Sequence, residues 1–157
     1  MNGAVITHIL SRDPYTSSWF QGFSSPDLPL PRIRRKPALF ILNTDNSQGP
    51  GEHWCVAIIR NRNICEFFDS YGFPPAVYKF EKQLLDHSKT ILYNEFRIQG
   101  TEPTCGHHCL FYALKRGRGL TSKHICEKMY TTDQKKNDRM VYNYIKQYGD
   151  VIAQYAK

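Results

Sequence analysis

The stretch HWCVAIIRNRNICEFFDS, residues 53–70, decides the architecture. Its two ends, HWCVAIIR at 53–60 and ICEFFDS at 64–70, are rich in β-branched and aromatic residues, and NRN between them is a short polar connection. Runs of this kind bounded by a polar turn read as neighbouring antiparallel strands. In such a hairpin the first end of one strand lies beside the last end of the other, so residue 53 is expected opposite residue 69. These two positions are His53 and Asp69.

Working outward, ALFILN at 38–43 is an apolar run of strand length, and TILYNEFRIQ at 90–99 holds a further strand or two. Residues 44–52, TDNSQGPGE, read as a loop on turn residues. Residues 13–37 hold five of the nine prolines and read as irregular. Helical spacing of Val5, Ile6, Ile9 and Leu10 predicts a short helix over 3–10. Residues 74–87 open on proline and set Val77, Phe80 and Leu84 on one helical face. CGHHCLFYALK, 105–115, is helical and is stopped by GRG. Thr121 or Ser122 caps a helix through about Met129, and a last helix over 134–155 buries Met140, Tyr144 and Ile145. A strand-rich middle with helices around it predicts an α+β domain with a mixed central β-sheet flanked by helices.

The chain of 157 residues suits one domain over 1–157. Its expected parts are a short helix and a Pro-rich basic segment (1–37), a core (38–120) and C-terminal helices (121–157). A hydrophobic share of 41% and an aromatic share of 13% exclude disorder throughout. No apolar run approaches the roughly 18 residues of a membrane-spanning helix. The first residues, MNGAVITHILSRDPYTSS, do not read as a secretory signal, so a protein that is not secreted is expected. Cysteines stand at 55, 65, 105, 109 and 126, an odd number that argues against a disulfide framework. Each thiol is then core filler, a metal ligand or a nucleophile. The net charge of +7 permits nucleic acid or an acidic surface as a partner without establishing either.

Three residues stand out: His53 at the start of a strand, Asp69 at the end of the next, and Cys105 opening a helix. A thiol nucleophile acts as thiolate, and a helix N-terminus and a nearby imidazolium both stabilise that charge. Gly106 after it lets a substrate backbone approach, and Cys109, Leu110, Ala113 and Leu114 anchor the helix in the core. His53 is placed to share the thiol proton, with Asp69 on the other imidazole nitrogen. Gln99, six positions before Cys105, supplies an amide donor for an oxyanion, together with the Cys105 backbone N–H. Singly, each residue has a bland reading as strand histidine, turn former, buried thiol or surface glutamine.

The order His, Asp, Gln, Cys, in the settings GEHW, FFDSYGFPP, IQG and TCGHHCLFYALKRGRG, resembles the adenovirus-type (adenain-like) cysteine proteases. It is most similar to those of Polinton/Maverick elements and adintoviruses; the broader clan includes SUMO-deconjugating proteases. FQGFSSPDLP at 20–29 and LNTDNSQGPGEHW at 42–54 also resemble the family, so the likeness covers about residues 20–120. The resemblance implies an adenain/SUMO-protease-like fold with a thiol site and no cofactor or metal. Cys105 is then the nucleophile, His53 the general base and acid, Asp69 its orienting acid and Gln99 the oxyanion donor. Trp54 is expected to shield the site, and Asn43 sits where the family has Asn before Thr; with Gly106 they form the expected substrate-binding set. The implied function is a cysteine endopeptidase that processes viral or transposon-encoded capsid or core precursors during particle maturation. Cleavage after small residues such as Gly is implied, in the host nucleus or cytoplasm and in the virion, by a monomer. DNA is an expected activator through Arg32–Lys36, the KRGR at 115–118 and Lys135, Lys136 and Arg139; solvated surface charge explains the same clusters. DHSKTILYNEF, 86–96, lacks the cysteine by which adenoviral enzymes tether an activating peptide, so any such peptide would bind non-covalently.

Three other readings compete. A deconjugating protease for a ubiquitin-like tail would share the mechanism. A nucleic-acid-binding module explains the charge but not the four-residue order. A zinc module would draw on Cys105, His107, His108, Cys109, His124 and Cys126, but C-x₂-C and H-x₃-H spacings are absent. The simpler reading of those outside Cys105 is core thiols and partly exposed helix histidines, with Cys55 and Cys65 also in the core.

Overall fold

A computed structural model describes residues 1–49 and 53–155, with side chains through residue 150. A five-stranded mixed sheet in the order β1-β2-β3-β4-β5 is its centre. The strands are β1 (Phe20–Ser24), β2 (Ala38–Asn43), β3 (Trp54–Ile59), β4 (Ile64–Phe68) and β5 (Thr90–Tyr93). β2, β3 and β4 are antiparallel neighbours, while β1 and β5 add in parallel at the two edges.

Apart from Asn43 and Glu66, the three central strands are apolar without alternation because both faces of the sheet are covered. One face, with Leu39, Ile41, Val56, Ile58 and Phe68, packs against α1 (Gly3–Arg12), α3 (Cys105–Gly117) and α5 (Gln134–Tyr155). The other, with Phe40, Leu42, Ala57, Ile59 and Phe67, is covered by Phe80 and Leu84. Leu84 belongs to α2 (Glu81–Leu85). Asn2 caps α1 by accepting from the Val5 N–H, and Thr121 caps α4 (Ser122–His124) by accepting from the His124 N–H. A π-helical turn, Ile125–Met129, follows α4.

The expected helix over 74–87 is two shorter pieces. A 3₁₀ turn, Pro75–Tyr78, ends where Lys79 takes a left-handed conformation at φ 65°, and α2 starts two residues later. Val77, expected on the buried face, is exposed, and Tyr78 is turned toward Asp69. The 13–37 segment contains strand β1, and 90–99 contains one strand. β1 is legible only through its partner: residues 20–23 are half-buried and its ladder to β2 is irregular between Phe20 and Gly22. The loop expected at 44–52 falls partly on residues 50–52, outside the described residues. Among the described residues no helix is long and apolar enough to cross a membrane.

Candidate active site

The β3–β4 ladder pairs Val56 with Phe68, Ala57 with Phe67 and Ile58 with Glu66. Continued by one step, this register sets Cys55, not His53, opposite Asp69. The expected 53–69 pairing is thus out by two residues. Because side chains alternate along a strand, His53, Cys55 and Asp69 still project to one face, and His53 reaches Asp69 diagonally. His53 Nε2 lies 2.6 Å from Asp69 Oδ1. Both residues are buried, at 8% and 0% exposure.

The Asp69 carboxylate is saturated with donors. The Tyr71 N–H reaches Oδ1 at 3.1 Å; the Phe73 N–H and Tyr78 hydroxyl reach Oδ2 at 3.0 and 2.7 Å. The Cys55 sulfur also lies within 4.8 Å of it. Asn94 braces the backbone, accepting from the Asp69 N–H and donating to its carbonyl. Gly72, at φ +79°, closes the turn after Asp69 with a bond from its N–H to the Asp69 carbonyl. Tyr71 stacks on the His53 ring at 4.5 Å between centroids and 17° between planes, and Arg97 lies over the Tyr71 ring at 4.9 Å.

Cys105 opens α3 and is hydrogen-bonded to His53. Burial raises its thiol pKa, but hydrogen bonds from His53 and the Trp54 N–H, the His53 charge and the Gly106 N–H together bring it below the ordinary 9.0. Burial alone would lower the His53 pKa; bonds to Asp69 and Cys105 and their charges outweigh it and raise it to about 9. The two shifts have opposite signs and one meaning: each favours the thiolate–imidazolium form of the pair. The remaining cysteines behave as core thiols. Burial raises Cys65 and Cys126 to about 12 and pushes Cys55 and Cys109 well upward.

Gln99 is buried in the loop before Cys105. Its Oε1 accepts from the Ser70 hydroxyl at 2.5 Å and its Nε2 donates to the Glu102 carbonyl at 2.7 Å. Ser70 adjoins Asp69, so this bond joins the carboxylate's turn to the loop before the thiol. The amide orientation is fixed by these bonds, and its second N–H is uncommitted to them.

Trp54 and Asn43 are partners across the β2–β3 ladder and line a hollow of about 320 Å³ with Phe23, Leu28 and Ser47. The Trp54 indole is tilted against Phe23 and donates to the Met1 carbonyl at 3.2 Å. Asn43 Oδ1 accepts from the Asp45 N–H, the signature of a turn former. At Gly106 an added Cβ would stand 3.1 Å from Met1 Cβ, so Met1 covers this glycine. A larger hollow, about 600 Å³, is lined by His53 itself with Tyr71, Tyr78, Asp27 and Thr44.

His108 corrects the expectation of a partly exposed helix histidine: it is fully buried and bonded to Tyr130 and Asp138. The six residues of the zinc reading form no metal-binding group among the described residues. The group that does meet ligand spacing is His53, Cys55 and Asp69, within 4.8 Å of one another. The direct 2.6 Å bond between His53 and Asp69 leaves no room for an ion between them. Sequence reading missed Tyr71, Tyr78 and Cys55 as partners of the His53–Asp69 pair. The signal for Cys55 was available in the two-residue period of β3; those for the tyrosines depend on a turn that periodicity does not disclose.

No family model matches the chain. The chain is similar to cysteine proteases of African swine fever virus. It is 31% identical over 105 residues to a cysteine protease of the Tick/Malawi isolate, covering 59% of this chain and 38% of that protein. It is 30% identical over 106 residues to a protein of the Pig/Kenya isolate named SUMO-1 cysteine protease, covering 60% and 39%. The chain thus spans about two fifths of the length of these curated relatives. A crystal structure of the African swine fever virus protease aligns with 66% of this chain and 43% of its own, at 27% identity and a TM-score of 0.41.

Proposed function

We propose that this protein is a cysteine endopeptidase of the clan that holds the adenain-like and SUMO-deconjugating proteases. One observation carries the reading: His53 is held between the buried carboxylate of Asp69 and the thiol of Cys105 at the start of α3. The similarity to viral cysteine proteases supports it.

The Cys105 thiolate attacks the scissile carbonyl carbon and forms the thioester as the C–N bond breaks. The Cys105 N–H and the free N–H of Gln99 receive the oxyanion, and His53 gives its proton to the leaving amine. Water then attacks the thioester, His53 takes its proton, and the acid leaves as the thiolate is restored. Asp69 keeps the imidazole oriented and charged until the leaving group needs the proton.

The substrates we assign are viral or transposon-encoded precursor proteins cut during particle maturation, after small residues such as Gly. The motif surroundings quoted above support a place beside the Polinton and adintovirus enzymes, working in the host nucleus or cytoplasm and in the virion. A second reading, removal of a ubiquitin-like tail, draws support from the relative named SUMO-1 cysteine protease. Wild-type protein and Cys105→Ala are to be incubated with candidate capsid and core precursors and with a SUMO-1 conjugate. Cleavage of precursors by wild type alone is expected. Equal cleavage by both proteins overturns the endopeptidase, and exclusive cleavage of the conjugate selects the second reading.

A further inference from the structure

The loop from Ile98 to Thr104 carries Gln99 at one end and delivers Cys105 at the other, and it contains no regular secondary structure. Arg97 holds the Gln99 and Gly100 carbonyls and Ser70 holds Gln99, while α5 holds the rest of the loop. Asp138, 3% exposed, accepts from the Gly100 N–H at 3.0 and 3.1 Å, the Thr104 hydroxyl at 3.1 Å and the Glu102 N–H at 3.4 Å. Its neighbour Asn137 donates to the Ile98 carbonyl at 3.1 Å. Gly100 permits this close approach, since a Cβ there would stand 2.7 Å from Asp138 Oδ2. Thr104 stands at the N-cap of α3 but makes no capping bond; its hydroxyl serves Asp138 and Glu102 instead.

The far side of Asp138 is closed by His108 Nε2 at 3.0 Å, and His108 Nδ1 meets the Tyr130 hydroxyl at 3.0 Å. Burial lowers the His108 pKa to about 4 although Asp138 opposes the shift, so this imidazole is neutral at neutral pH. A carboxylate only accepts, so Nε2 carries the proton and Nδ1 accepts from Tyr130. This second His–Asp pair therefore carries no exchangeable charge comparable to His53–Asp69, and its role is geometric.

We propose that Asp138 is a positioning residue for the oxyanion site, acting through Glu102 on the Gln99 amide. The inference rests on the assignment of Gln99 and Cys105 given above. Glu102 is the link: its N–H is held by Asp138, and its carbonyl receives the Gln99 Nε2 bond and the Thr104 N–H at 2.8 Å. Releasing Asp138 frees Glu102, and with it the direction in which the second Gln99 N–H points. The groups that stabilise the thiolate, His53 and the Trp54 and Gly106 N–H groups, lie outside this loop.

Asp138→Asn is nearly isosteric, and Gly100→Ala pushes the loop from an intact Asp138. Three measurements are made on each: hydrolysis of a peptidyl-Gly-Gly-aminomethylcoumarin, alkylation of Cys105 by iodoacetamide, and amide exchange over 98–104. Alkylation forms no oxyanion, so a split is expected. In both variants kcat falls by about tenfold to a hundredfold, less than outright loss of a donor. KM and alkylation rate stay at wild-type values, and exchange at Gly100 and Glu102 accelerates. A parallel fall of hydrolysis and alkylation, or unchanged exchange at those amides, overturns the proposal. A wild-type protein that alkylates but hydrolyses neither this peptide nor the precursors sinks the protease reading instead, while accelerated exchange in the variants leaves the loop assignment standing.

Discussion

The Tyr78 hydroxyl donates to Asp69 Oδ2, the oxygen that His53 does not use. Asp69 thus binds the imidazole with one oxygen while the other is held by Tyr78 and the Phe73 N–H. A carboxylate pinned on both sides cannot swing away when His53 gives up its proton. Tyr78→Phe removes one donor to a charged acceptor, and kcat is expected to fall about tenfold. Asp69→Ala removes the whole arrangement and is expected to lower kcat by about 10²–10⁴. Steady-state kinetics of the two variants check the ranking; a Tyr78→Phe loss equal to that of Asp69→Ala contradicts it.

The pH profile follows from the two opposed shifts. Cys105 ionises below its ordinary 9.0, and His53 stays protonated up to about 9. Activity rises as pH passes the lowered thiol pKa and falls as pH passes about 9, where His53 loses the proton owed to the leaving amine. The stability that His53 gains from its partners is complete below 6.5 and is lost as pH rises through about 9. Asp69→Ala removes the bond and charge that raise His53, so the alkaline limb moves to lower pH. A pH titration of kcat in both proteins is the check, and an unmoved alkaline limb contradicts the assignment of His53.

The stack of Tyr71 on His53 depends on a ring, not on a hydroxyl. Tyr71→Phe is expected to retain the wild-type rate, and Tyr71→Ala to lose about threefold to tenfold, the range for an aromatic contact. The comparison of kcat/KM between the two variants isolates the ring, since both lack the hydroxyl.

Away from the site, Arg116 forks onto the buried Glu66 of β4 through Nε at 2.9 Å and Nη2 at 2.7 Å, while Tyr112 adds a third bond. This ties α3 to the sheet. Arg116→Ala leaves Glu66 buried beside the Tyr112 hydroxyl, with the half-exposed Arg60 at 3.7 Å as its remaining cation among the described residues. Stability is expected to fall by about 3–5 kcal/mol. Urea unfolding measures it; a loss within that of ordinary surface substitutions contradicts the role given to the pair.

The parts legible in the sequence were those set by local pattern. The apolar run 38–43 became β2 with unchanged bounds, and the polar NRN became the connection between β3 and β4. The 134–155 helix followed from its own periodicity. The face shared by His53 and Asp69 was also legible, because side-chain direction has a period of two, but their register was not. A shift of two residues preserves the face, so pattern alone does not distinguish a direct pair from a diagonal one. Packing did, and it set Cys55 against Asp69.

What the chain alone determined was therefore the inventory and its order: a histidine entering one strand, an aspartate leaving the next, and a cysteine starting a helix with a glutamine six residues before it. What only the tertiary structure decided was how these groups are held. Tyr78 meets Asp69 because Lys79 breaks a helix; Asp138 meets Gly100 across 38 residues because α5 packs on α3. Hydrogen bonds between distant segments depend on how whole elements dock, and docking is governed by summed burial over many side chains. No local spacing encodes it.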